Sequence, residues 1–99
     1  MSDLSRFPGG DMVEKGLADI QRGELTEEAL LVLMCSPRLT SLGFEIVPPP
    51  NTPAICEHAL YELLQDRVGS RAHYTYNALS ARMRSFANAY ALTHRNHVI

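Results

Sequence analysis

Two histidines three residues apart, His94 and His97, have the reach to share a metal ion at a helix end. A bound zinc needs three or four ligands. Neither Cys35 nor Cys56 belongs to a Cys-x-x-Cys pair, and no His-Glu-x-x-His pattern is present to complete the set. Positive charge at a helix C-terminus accounts for His94 and Arg95 through the helix dipole. Cys56, Glu57, His58 and Glu62 bring a nucleophile, acids and a base onto one stretch. A helix turns adjacent side chains about 100° apart, so they do not converge; His58 and Glu62, four apart, read as a surface pair. Both cysteines sit among apolar neighbours, where a thiol acts as a small hydrophobe. A reactive thiolate requires an electropositive, partly exposed setting. Gly9-Gly10 before a helix would offer backbone N–H groups to an anion, but Asp11 repels it. No nucleophile elbow, phosphate loop or dinucleotide glycine pattern occurs. The expectation is no catalytic residue, no metal, no cofactor and no small-molecule substrate.

Charge is the most asymmetric property. Residues 1–66 hold eleven acids and four bases, a net −7, whereas residues 67–99 hold five arginines and no acid. Three of the four histidines also fall in that basic third. Either the basic third packs against the acidic part, or it faces nucleic acid or an acidic partner. For nucleic acid the candidates are Arg71, Arg82, Arg84 and Arg95 with Tyr74 and Tyr76, since arginine pairs with phosphates and aromatic rings stack on bases. The Ser36-Pro37 break between two helices has the outline of a helix-turn-helix. The turn has no glycine, and the following helix is too short and apolar to read a groove.

The elements that must position these residues are helical. Residues 1–10, with Pro8-Gly9-Gly10, read as a flexible leader, and residues 11–99 as a single helical domain. Asp11 is the expected cap of a first helix, with Met12, Val13, Leu17 and Ile20 inward, Asp19 and Arg22 outward, and Gly23 as the stop. Thr26 caps a second helix, with Glu27 and Glu28 in its first turn and a staple between Leu25 and Leu30. Residues 30–34 are apolar on every side and predict a short buried helix. Ser36 then caps and Pro37 starts a brief turn reaching Leu42. Residues 44–52, with Pro48-Pro49-Pro50, predict an extended Pro-rich linker between two halves; a minor strand at 44–47 is the alternative. Thr52-Pro53 starts a third helix over 53–68, with Cys56, Ala59, Leu60, Leu63 and Leu64 inward, Tyr61 outward and Arg67 close to the inner stripe. Ser70 or Thr75 caps the last helix, which runs to about residue 93.

That last helix has three faces. Tyr76, Leu79, Met83, Phe86 and Tyr90 form the large apolar stripe. Ala78, Ala81, Ser85 and Ala89 form a separate small-residue stripe, while Asn77, Arg84, Asn88 and Arg95 form a polar one. Small residues at this spacing let helix backbones approach closely, either within the chain or across a dimer seam. The sequence therefore predicts an all-α fold: a small single-domain bundle of four helices plus a short helical turn. The longest apolar run, 29–35, is far short of the roughly 20 residues needed to span a membrane. With no basic-then-apolar leader and no lipidation motif, a soluble cytoplasmic protein is expected. The expected function is non-catalytic interaction, with a second copy or another protein as partner; nucleic-acid binding is the alternative.

Overall fold

A computed structural model describes residues 4–95, with side chains through residue 93. It is all-helical: α1 (Gly10–Gln21), α2 (Glu27–Met34), the short α3 (Ser36–Ser41), α4 (Cys56–Val68) and α5 (Ala72–Arg95). Single 3-10 turns, Leu4–Arg6 and Gly69–Arg71, precede α1 and α5. No strand occurs among the described residues, so the alternative at 44–47 is overturned.

The apolar run forms the central helix. α2 packs between α1 and α4 and also meets α3 and α5. Ala29, Leu30, Leu31, Val32 and Leu33 are all buried. Each fully buried leucine contributes about 1.5–3 kcal/mol relative to exposure. Thr26 caps α2, its hydroxyl accepting from the Ala29 N–H at 3.2 Å. α1 approaches α2 at Gly16, where an added Cβ would lie 2.6 Å from both the Glu28 carbonyl oxygen and Val32 Cγ2. Only glycine permits that spacing.

Several helix starts differ from expectation. α1 is preceded by Gly9 in the left-handed region (φ 73°), which places Asp11 inside the first turn rather than at the cap. Ser36 is the first residue of α3, and Cys35 takes the cap position for both α2 and α3. Thr52 closes a turn instead of starting a helix: its hydroxyl donates to the Pro49 carbonyl at 2.7 Å, and α4 begins three residues after Pro53. Neither Ser70 nor Thr75 caps α5. The 3-10 turn leads straight into it, and the Thr75 hydroxyl donates to the Arg71 carbonyl within the helix.

The segment expected as a flexible leader is folded from Leu4 onward. Leu4 is buried, and Phe7 packs edge-on against Phe86 at 5.9 Å. Phe44, from the stretch after α3, stacks on Tyr90 at 4.8 Å and on Phe86 at 6.0 Å. Two irregular segments thus supply aromatic rings that cover α5. Such aromatic pairs add about 0.5–1.5 kcal/mol each beyond the area they bury.

Asp19, expected outward, is fully buried. Its carboxylate accepts from Lys15 Nζ at 2.7 Å, from the Thr26 hydroxyl at 2.6 Å, and from the Arg22 guanidinium. The Lys15 and Thr26 hydrogen bonds hold its pKa below the ordinary carboxylate value of 3.8 against the opposing effect of burial. A buried carboxylate is tolerated when its lone pairs are satisfied in this way. Lys15 also reaches Glu28 at 3.4 Å, so the cluster ties α1 to α2.

Candidate functional site

A groove runs between α3 and the second half of α5. Its shape follows from the chain break at Cys35. α2 ends there, Pro37 opens α3, and the fully buried Leu39 pins the short helix down. Met83 and Ala87, both buried, form the facing wall on α5. The groove encloses about 350 Å³ over a floor that includes Met34, Cys35, Leu39, Met83 and Ala87. Arg38, Arg84 and Asn88 complete its lining, with no acid among the lining residues. A second hollow continues it past Arg38 and Asn88 to Ala91 and Leu92.

The polar rim is preorganised across 50 positions of sequence: the Arg38 guanidinium donates to Asn88 Oδ1 at 3.1 Å. Arg84 lies one helical turn before Asn88 and therefore on the same side of α5. Burial pushes the Cys35 thiol above its ordinary pKa, Glu57 adds to the shift, and Arg84 opposes it. Burial and Glu57 raise Cys56 as well. Both thiols are free, half-buried and protonated at neutral pH, which suits a lining group rather than a nucleophile.

The small-residue stripe lies on the face of α5 next to the groove. Ala78, Ala81 and Ser85 are exposed, and Ala89 is half-buried at the margin. Among the described residues no helix covers the three exposed positions. Tyr74 and Leu92, 77% and 61% exposed, fall on the same outer side.

The arginine and tyrosine candidates for nucleic acid do not converge. Arg82 reaches Asp11 at 3.6 Å. Arg82 and Arg84, two positions apart, project about 200° from each other around the helix. Tyr76 is drawn inward: its hydroxyl donates to Met34 Sδ at 3.4 Å, and its ring lies 5.8 Å from Tyr61. Tyr61 is thus half-buried against the core, not turned outward. Arg71 and Tyr74 are exposed, and Arg95 closes α5 with its side chain outside the described residues. Arg67 is likewise exposed, and it forms a two-pronged pair with Glu27 at 2.6 and 3.0 Å. The basic third is therefore bound to the acidic part at Arg67–Glu27 and Arg82–Asp11.

His97 lies outside the described residues, as does the side chain of His94. Among the described residues no three His, Cys, Asp or Glu side chains group as a metal site, and no helix is long and apolar enough to cross a membrane. No family model, curated protein or solved structure matches the chain.

Sequence reasoning missed Arg38 as a groove residue. The available signal was the pairing of Arg84 with Asn88 on one polar stripe; which residue would meet that stripe from elsewhere was not readable.

Proposed function

We propose that the protein is a soluble, cytoplasmic, non-catalytic interaction protein that self-associates through the outer face of α5. Residues 44–52 act in this reading as the extended link between the two halves. One observation carries it: an exposed, uncharged row, Tyr74, Ala78, Ala81, Ser85, Asn88 and Leu92, runs along the side of α5 facing away from the core. The intervals alternate four and three, the seam spacing of paired helices. Read in the opposite direction the intervals are the same, so two antiparallel copies would set Tyr74 against Leu92 and Ala81 against Ser85. A twofold interface must be self-complementary in this way. Nucleic-acid binding is the weaker reading, because Arg67 and Arg82 already have carboxylate partners and Tyr76 is turned inward.

Sedimentation tests the proposal. The wild-type protein is expected to sediment as a dimer, with a melting temperature that rises with concentration. Ala81→Leu is expected to yield a folded monomer. A folded Ala81→Leu protein in the same oligomeric state as wild type would remove the proposal's support.

A further inference from the structure

Among the described residues, Lys15, Arg22, Arg67 and Arg82 each have a carboxylate within 4 Å. Arg6, Arg38, Arg71 and Arg84 form no such pair, although acids outnumber bases in this chain. Of these four, Arg38 and Arg84 line one groove, and that groove has no acidic lining residue. Arg38 is held by Asn88, which leaves its remaining N–H groups for another acceptor. Between the two cations lies an apolar floor that includes two methionine side chains, a pliable surface suited to bulky side chains.

We propose that this groove docks an acidic, amphipathic segment of a partner protein. A large apolar side chain of the segment enters over Met34, Met83 and Ala87, and carboxylates flanking it pair with Arg38 and Arg84. The lining runs from Met83 to Leu92, about 14 Å along α5, room for two to three turns of a helix or about four extended residues. The volume of about 350 Å³ is at the lower end for ligand sites, fitting one or two side chains rather than a whole cofactor. A nucleic-acid backbone would supply the negative charge but nothing for the apolar floor. Charge complementarity together with the floor therefore selects a peptide.

The proposal rests on the protein acting by interaction but not on self-association: Arg38 and Arg84 lie outside the outer row, although Asn88 and Leu92 belong both to that row and to the groove lining. The probe is a fluorescein-labelled twelve-residue peptide of alternating Leu/Phe and Glu, titrated by anisotropy. Controls are a twin with Gln for Glu and a single-stranded oligonucleotide of equal length. The acidic peptide is expected to bind at least about tenfold tighter than its Gln twin, a difference of about 1.4 kcal/mol. Arg38→Glu and Arg84→Glu should each abolish that preference without lowering the melting temperature. Amide shifts on titration should cluster at Met83, Arg84, Ala87 and Asn88. No binding of the acidic peptide, binding unaffected by either charge reversal, or preferential oligonucleotide binding would each overturn the proposal. Sedimentation of Arg84→Glu, a residue outside the outer row, separates the two readings: it should remain a dimer while losing the peptide, whereas Ala81→Leu should lose the dimer and keep the peptide.

Discussion

The α1–α2 corner and the α3–α5 groove are built from similar residue types and use them in opposite ways. At the corner, Lys15, Arg22 and Thr26 converge on one buried carboxylate, and a second acid, Glu28, lies within reach of Lys15. Charge there is consumed inside the chain and locks two helices together. At the groove, Arg38 and Arg84 flank a sulfur-rich apolar floor, and no described carboxylate neutralises them. A buried charge without a partner would cost several kcal/mol, so Asp19 needs its full set of donors. Exposed guanidinium groups carry no such penalty and can wait for a partner. The corner uses its charges to hold two helices together, whereas the groove keeps two guanidinium groups without a carboxylate partner.

The largest expected effect tests what the two regions share. α2 supports both, so Leu31→Asp, which puts an unpaired charge at a fully buried position, should unfold the chain. Far-UV circular dichroism would show loss of helix, because the penalty of about 5 kcal/mol or more matches the whole stability of a small domain. Helical content unchanged from wild type would remove α2 from the core.

Gly16→Ala strikes the corner alone. Its new methyl group meets backbone at 2.6 Å, so α1 must move off α2, at about 1–3 kcal/mol. Denaturant titration should show this loss with helix content retained. An unchanged midpoint would mean that the two helices are not in close contact.

Asp19→Asn removes the charge while keeping the shape, with an expected loss of about 2 kcal/mol at neutral pH from weakened charge-assisted hydrogen bonds. The sign of the pH dependence follows from the lowered pKa. In the unfolded chain the carboxyl protonates near pH 3.8, and in the folded chain only below that. The stabilisation is therefore complete above the unfolded value and disappears as pH falls through the folded one. The wild type should lose stability on acidification in that window, and the difference between wild type and Asp19→Asn should shrink there. A difference constant from pH 7 to pH 2 would show that Asp19 is not ionised in the fold.

The smallest effects separate the paired arginine from the unpaired one. Arg67→Glu replaces the pair with Glu27 by repulsion and should lower the melting temperature slightly, an effect that salt reduces. Arg84→Glu should leave it unchanged. Equal effects on stability would erase the distinction between the basic third's internal and external uses.

Local chemistry was legible in advance wherever a feature depends on residues a turn or two apart. Thr26 caps α2 because its hydroxyl and the Ala29 N–H are three residues apart. The stripe Tyr76, Leu79, Met83, Phe86 and Tyr90 is the packed face of α5 because helical periodicity alone sets that alignment. The apolar 30–34 run is the central helix for the same reason. Where several turn-forming residues competed, the start shifted: Gly9, Cys35 and the 3-10 turn over Gly69–Arg71 took positions that Asp11, Ser36 and Ser70 or Thr75 were expected to fill. A cap depends on backbone angles at one residue, and several neighbours have suitable side chains.

The sequence by itself determined the all-helical class, the central apolar helix, the faces of α5 and the split of charge along the chain. These follow from periodicity, capping and composition, which act locally. Only the tertiary structure decided that Asp19 is buried, that Phe7 and Phe44 cover α5, that Arg67 meets Glu27, and that Arg38 joins Asn88 at the rim of a groove. Each of the last three joins residues at least 40 positions apart. Helical periodicity states which side of a helix is apolar but not which segment arrives to cover it. The burial of a charged group is set by the partners that the rest of the chain brings within hydrogen-bonding distance.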